Sequence, residues 1–403
     1  MPTKIPNHSE GSDGMLQDSS TGQALSSDGW FEHRNPLDIL GSASPFQDKL
    51  IFLHEHLRRQ VPEVARIAIV LHDADTDFLS TFAHSSLGED PLSHYQARLA
   101  DSTTLTEIVA RRRPRVVNDI DLLGGDRHHA ERIRQQGYGS SYTLPIFRHD
   151  HFVGFLFFNA YVRNLFDERV LAYLDTVAHL LALTLIDHLS ASRALVASVR
   201  GASTLAQHRD FETGAHLDRM AHYSRLIARS LAPKYGLDDT TVEHIFLFSP
   251  LHDIGKIAVP DSILFKPGRL TQEEFAMMKK HPEQGAEMID ALLEHFGLTA
   301  MPQAGLLRNI ALHHHETVNG KGYPYGLAGE DIPLEARIAA VADVFDALTS
   351  KRPYKEAWSN EQAFETLQKM AGDFLDRDCV AVLIAAREEI ERIQARFKED
   401  PEG

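Results

Sequence analysis

At 403 residues, 43% hydrophobic and 24% charged, the chain has the composition of a globular protein and is too long for one ordinary core, which predicts two domains. A formal net charge of −16 excludes a long polyanion as partner, because sequence-independent nucleic-acid binding needs many basic contacts to phosphate, but leaves room for a small phosphorylated ligand. The lone cysteine, Cys379, excludes a disulfide framework and thiolate-rich metal sites, so any metal must use nitrogen and oxygen, and 23 histidines are the count that stands out.

In chain order, residues 1–40 are rich in Ser, Gly, Asp and Asn and poor in large apolar side chains, which predicts a disordered tail. The first residues hold no secretory signal core, and no apolar run approaches the ~18 residues of a membrane span, so a cytoplasmic location is expected. From about 46 to 190 the periods mix: a helix (PFQDKLIFLHEHLRRQ), strands ARIAIVLHD and FLSTFAHS, and a helix near 103–111. A basic turn and a helix at 127–136 then lead to strands GSSYTLPIFRH and HFVGFLFFNAY. This order predicts an α+β sheet packed on one face by its first and last helices. The stretch resembles a GAF domain, most clearly in "FVGFLFFNAYVRNLFDERVLAYLDTVAHLLALTL". The resemblance implies a sensory domain with an unknown ligand. Its histidines (His72, His84, His94, His128, His129, His151) show no ligand spacing and are assigned none.

A helix beginning near Asp167 meets no breaker until Gly201 and carries Leu171, Leu174, Val177, Leu181, Leu185, Leu189 and Val196 at three-to-four spacing. That length suits a connector between domains and predicts a homodimer through the linker helix.

Beyond about 205 the pattern is helical. Glu212 and His216 lie four apart in "FETGAHLDRM" and share a helix face from which both reach one metal. His252 and Asp253 end the apolar run "HIFLFSPLHDIG", where a buried carboxylate needs a metal or Lys256 as partner. Consecutive helical residues point about 100° apart, so such a pair can serve two metals or bridge them. His281 follows in "MKKHPEQG", then His314 and His315 in "HHHETVNGKGYPYGL", then Asp343 inside an apolar helix three residues before Asp346. Each alone reads as structural; the set points to a metal site.

"HDIGK", "HHETVNGKGYPYGL" and "ADVFDALTSKRPYK" together resemble the HD-GYP family of metal-dependent phosphodiesterases that hydrolyse cyclic di-GMP. The resemblance implies an all-helical bundle with metal ligands Glu212, His216, His252, Asp253, His281, His314, His315 and Asp343, of which Asp253 bridges. His313 is left without a role, because Glu316 sets the register of the HHE motif. Two or three divalent ions are implied, three favoured by Glu212, and nitrogen and oxygen donors favour iron or manganese.

The resemblance implies that Lys256 lies near the scissile phosphate, as a catalytic charge beside Asp253. Tyr323, on a loop shaped by Gly320, Gly322 and Pro324, is expected to offer a face to a guanine base, and the resemblance implies that Arg352 and Lys355 lie near the phosphates. Asp346 is expected to orient Arg352 or a ligand histidine. The expected activity is metal-assisted hydrolysis of cyclic di-GMP to pGpG or GMP, gated by the sensory domain. Hybrid cyclic GMP-AMP as substrate, or a weakly catalytic cyclic di-GMP effector, are the alternatives. The expected division is a tail at 1–40, an α+β GAF-like domain at 41–190, a helical linker at 191–206 and an all-α HD-type bundle at 207–403.

Overall fold

The computed structural model describes residues 35–88, 94–122, 136–205, 214–299, 301–351 and 356–398. The expected disordered tail lies outside these up to residue 34, and Pro36–Gly41 forms a short 3-10 helix. The helix expected at 127–136 also lies outside them, but for its last residue.

The first domain is built on an antiparallel sheet of β1 (Val64–Asp73), β2 (Phe78–Ser86), β3 (Gln96–Arg98), β4 (Arg115–Val117), β5 (Ser140–Arg148) and β6 (His151–Ala160), in the order β3-β2-β1-β6-β5-β4. The four long strands fall where the β-branched and aromatic runs predict them. The edge strands β3 and β4 have three residues each, too few for an alternation to register in the sequence.

Side chains alternate between two faces because the strand period is two. Ala68, Val70, Leu79, Phe155 and Phe157 pack under α2 (Thr103–Arg111) against Leu105 and Ile108. The other face takes α1 (Phe46–Arg58) and α3 (Glu168–Leu205), as expected for first and last helices. There the Phe46 ring meets Phe82 at 5.4 Å, and Tyr142 on β5 donates to Asp175 of α3 at 2.5 Å. Full burial of a Leu, Ile or Phe side chain contributes about 1.5–3 kcal/mol, so these two small cores stabilise the sheet from both sides.

Helix α3 corrects one sequence expectation. Over Glu168–Ser198 it is long and apolar enough to cross a membrane by length and composition, with a mean hydropathy of 1.6. Scanning for unbroken apolar runs missed it, because Asp, His and Ser interrupt the run without lowering its average much. Its stripe Leu174, Val177, Leu181, Leu185 and Leu189 is buried, although only 28% of the apolar window is. Further along, Leu195 is buried in the core of the second domain and Ser192 Oγ lies 3.8 Å from Met301 Sδ, so the expected linker packs within its own chain.

The second domain is helical: α4 (Gly214–Tyr235), α5 (Asp239–Phe248), α6 (Asp261–Leu264), α7 (Gln272–Met278), α8 (His281–His295), α9 (Ala304–His313), α10 (Leu334–Thr349), α11 (Asn360–Met370), α12 (Arg377–Ala385) and α13 (Arg387–Arg396). Its core gathers Tyr223, Phe248, Leu307, Ile310, Ile338, Val341, Phe345, Leu367 and Leu383. Helix starts are marked by side-chain caps at Asp238, Thr271, Ser359 and Asp376, each accepting from the backbone amide three residues on.

The two domains meet directly. Thr240 Oγ1 at the start of α5 donates to the Phe82 carbonyl of β2 at 3.0 Å, and Asp239 accepts from the His94 amide at 2.8 Å.

Candidate metal centre

The site forms where five helical segments converge. Helix α5 runs into a 3-10 turn, Ser249–Leu251, and the chain then presents His252 and Asp253 before a second 3-10 turn, Ile254–Ala258. Gly255 makes this turn possible. It lies so close to α8 that a Cβ would run into the His281 carbonyl and reach Gly285 N at 2.5 Å. That approach sets His281, the first residue of α8, beside Asp253. His314 and His315 follow the last turn of α9, His216 lies in the first turn of α4, and Asp343 is in the third turn of α10.

Two groups of potential ligands result: Asp253, His281, His314 and His315, and His216, His252 and Asp343, the ligand atoms of each group within 4.8 Å of one another. Adjacent His252 and Asp253 join them. Seven of the eight expected ligands are thus brought together, while Glu212 lies outside the described residues. Among the described residues no histidine of the first domain joins such a group. His72 faces Asp77 at 3.1 Å and His94 faces Asp239 at 2.8 Å, whereas His128 and His129 lie outside the described residues.

The hydrogen bonds fix the tautomers. His252 Nδ1–H donates to the Ser249 carbonyl at 3.0 Å, His281 Nδ1–H to Met278 at 2.8 Å, and His314 Nδ1–H to Ala311 at 3.0 Å. His216 Nδ1–H donates to Asp346 Oδ2 at 2.7 Å. Each ring therefore turns a lone pair on Nε2 into the site. His281 Nε2 and His314 Nε2 lie 3.4 Å apart, and both face Asp253 Oδ1, at 3.0 and 3.5 Å. Lone pairs converging on a carboxylate repel one another unless a cation lies among them, and nitrogen and oxygen donors in this number suit a divalent transition ion. The donor set fits a metal.

Electrostatics agree. Burial would raise the Asp253 carboxyl, but the Lys256 ammonium beside it holds it well below the usual carboxylate range. Burial lowers His314 and His315, the latter further through His314, so both rings are neutral and able to donate to a metal. Lys256 Nζ lies 2.7 Å from Asp253 Oδ2.

Tyr323 stands at the rim, its ring 4.7 Å from His315 and 6.4 Å from His281, and burial raises its hydroxyl pKa. The loop that carries it is clamped by Glu316, which accepts from the amides of Tyr325 at 2.8 Å and Leu327 at 3.0 Å. Gly320 adopts a positive φ of 73°; Gly322 instead supplies close approach, since a Cβ would collide with the 315–317 backbone. His313 is buried against Tyr325 at 5.9 Å. Arg352 and Lys355 lie outside the described residues.

Three participants escaped the sequence reading. Arg219 holds Asp346 through two nitrogens, at 2.6 and 2.9 Å, while Asp346 also orients the ligand histidine His216, as expected. Its position three residues after His216 on one helix face was the available signal. Lys279 Nζ lies 5.5 Å from the Tyr323 ring centre, and Glu316 serves the loop as well as marking the motif register. Neither carries a sequence signal, because the loop fold creates both contacts.

Residues 203–379 match the HD domain family, and residues 48–185 match the GAF domain family. The chain therefore pairs a GAF domain with an HD domain. Within that class it is similar to the cyclic di-GMP phosphodiesterase response regulator RpfG of Xanthomonas campestris, 48% identical over 191 residues, which cover 47% of this chain and 48% of the relative. A cyclic di-GMP phosphodiesterase of Vibrio cholerae is 42% identical over 49% of this chain and 40% of its own length. A 3'3'-cGAMP-specific phosphodiesterase 2 of the same organism is 40% identical over 52% of this chain and 38% of its own length. The chain thus spans about half or less of the length of these curated relatives.

Proposed function

We propose that the HD domain is a metal-dependent phosphodiesterase that hydrolyses cyclic di-GMP to pGpG and/or GMP. The observation that carries this reading is the convergence of imidazole lone pairs on the buried Asp253 carboxylate, at 3.0 Å from His281 and 3.5 Å from His314. His281, His314 and His315 would hold one ion, His216, His252 and Asp343 a second, and Asp253 would lie between them. Glu212 would add ligation for a third, and the hard and borderline donors favour iron or manganese. Divalent cations, when bound, supply Lewis acidity and lower the pKa of water that attacks phosphorus.

The chain's own groups do the rest. Lys256, 2.7 Å from Asp253, places an ammonium where charge develops on a phosphoryl oxygen. Tyr323 offers a ring face and a neutral hydroxyl to a guanine base, and Arg352 and Lys355 supply charge for the phosphates. Water attack on phosphorus expels the 3′ oxygen and opens the ring. The GAF domain would regulate this in the cytoplasm, and a second copy would pair along α3, where Leu183 is 51% exposed.

The 40% identity to a cGAMP-specific relative supports a second reading with hybrid cyclic GMP-AMP as substrate. Elemental analysis with anaerobic turnover of both dinucleotides, followed by chromatography, separates the two. His252→Ala and Asp253→Ala should lose metal and turnover together. Full activity in metal-free protein would sink the proposal, and binding without turnover would leave a cyclic di-GMP effector.

A further inference from the structure

A row of side chains on α4 winds from the metal centre to the GAF domain. His216, Arg219, His222 and Arg225 follow at intervals of three, so they form one stripe that turns half-way round the helix while its ends are separated by about 13 Å at 1.5 Å per residue. At the site end, His216 and Arg219 both bond Asp346, and Arg219 Nη1 also donates to the Phe397 carbonyl at 2.9 Å. The Phe397 ring stacks on His222 with centroids 4.7 Å apart. His222 Nδ1 accepts from Arg225 Nη2 at 3.0 Å, and the same guanidinium nitrogen donates to Asp73 Oδ2 at 2.5 Å. Asp73 is the last residue of β1, at the β1–β2 turn of the GAF sheet.

The links between Asp346 and Arg225 are buried, and their geometry is over-determined. Arg225 lies 4.0 Å from the Phe246 ring centre and 3.9 Å from Glu243, which burial pushes up to about 7. Burial works against the Asp73 charge, yet Arg225 and His222 bring its carboxyl down to about 2, so the pair stays ionic at neutral pH. A buried pair of this kind resists displacement, because moving either partner leaves an uncompensated charge.

We infer that Asp73 of the GAF domain is a positioning residue for the metal centre of the HD domain, acting through Arg225 and the rigid stripe of α4 on the imidazole of His216. This rests on the metal reading proposed above and gives the GAF sheet a lateral route to the site, separate from the end of α3. A ligand that shifts the β1–β2 turn would move Arg225 and, with it, the ring held by Asp346. Coupling of this kind needs a connected element that both sites bias, and α4 is that element.

The test measures Mn2+ binding to the metal-stripped full chain by calorimetry. Asp73→Asn and Arg225→Met should each weaken Mn2+ binding about 2- to 30-fold, and the double variant should be no weaker than the worse single one. Asp73→Glu, which keeps the charge, should restore most of the affinity. If Asp73→Asn fails to unfold cooperatively, the comparison of Asp73→Glu and Arg225→Met with the parent decides. Variants that bind Mn2+ as the parent does, while melting at lower temperature, would overturn the inference and leave Asp73 a domain-interface residue only. A parent chain that binds no Mn2+, Fe2+ or other divalent ion would instead overturn the metal reading itself.

Discussion

His216 Nδ1 donates to Asp346 Oδ2 at 2.7 Å, joining the first turn of α4 to α10 across 130 positions of sequence. Asp346 is fully buried and is also gripped by Arg219, and these two donors hold its carboxyl below its ordinary pKa although burial works the other way. The pair fixes the His216 tautomer and aims Nε2 at His252 and Asp343. Asp346→Asn is expected to weaken metal binding about 10- to 100-fold. It also removes the carboxylate that neutralises Arg219, a loss of about 3–5 kcal/mol for a broken buried pair. Metal titration and denaturant unfolding of the metal-free protein measure the two effects separately.

Lys256 touches the Asp253 carboxylate without itself being a ligand, so its removal should separate binding of metal from turnover. Lys256→Met is expected to keep its metal content while kcat falls about 10²- to 10³-fold, the usual cost of losing one charge-stabilising donor. Elemental analysis beside steady-state kinetics checks this. An unchanged kcat would remove Lys256 from the chemistry.

The crossing of Gly255 over α8 makes a sharp steric prediction. A Cβ at 255 would meet backbone atoms of His281 and Gly285, which cannot yield without moving His281 from Asp253. Gly255→Ala should therefore cost about 1–3 kcal/mol or more and lose bound metal. At the facing position a Cβ would meet Gly255 N only at 3.3 Å, so Gly285→Ala should be milder. Melting temperature and metal content of the two variants provide the comparison.

At the domain interface, His188 of α3 and His244 of α5 stand edge to face at 5.3 Å, and burial pushes both imidazoles down to about 4. Above the unfolded value of about 6.5 both states carry neutral rings, and the contribution to stability is whole. As pH falls from about 6.5 towards about 4, the unfolded chain takes up protons that the folded one refuses, and stability is lost. Glu243, raised to about 7 by burial, acts with the opposite sign, losing stability as pH rises from about 4.5 to about 7. Melting curves of the parent and of the His188→Phe/His244→Phe variant isolate the histidine part. The variant should show the smaller loss on the acid side, and parallel curves would refute it.

Much of the candidate site was legible in the sequence because metal ligation demands particular residue types, and the seven described candidate ligands that stand out as His or carboxylate near apolar runs do gather into two groups. The long strands and helices were legible for a related reason: β1 and β6 carry continuous apolar runs, and α3 keeps a three-to-four stripe. The edge strands β3 and β4 were not, since three residues set no period.

What the sequence determined by itself was chemistry and local form: which donors exist, that they are nitrogen and oxygen, and which segments coil or extend. Only the tertiary structure decided who meets whom. Arg219 took up Asp346 beside His216, Leu195 of the expected linker entered the helical core, and Asp73 of the sheet paired with Arg225 of α4. Period and residue type are properties of neighbours along a chain, whereas a buried ion pair between distant segments is set by packing. An arginine's partner is therefore known only once the helices have closed around it.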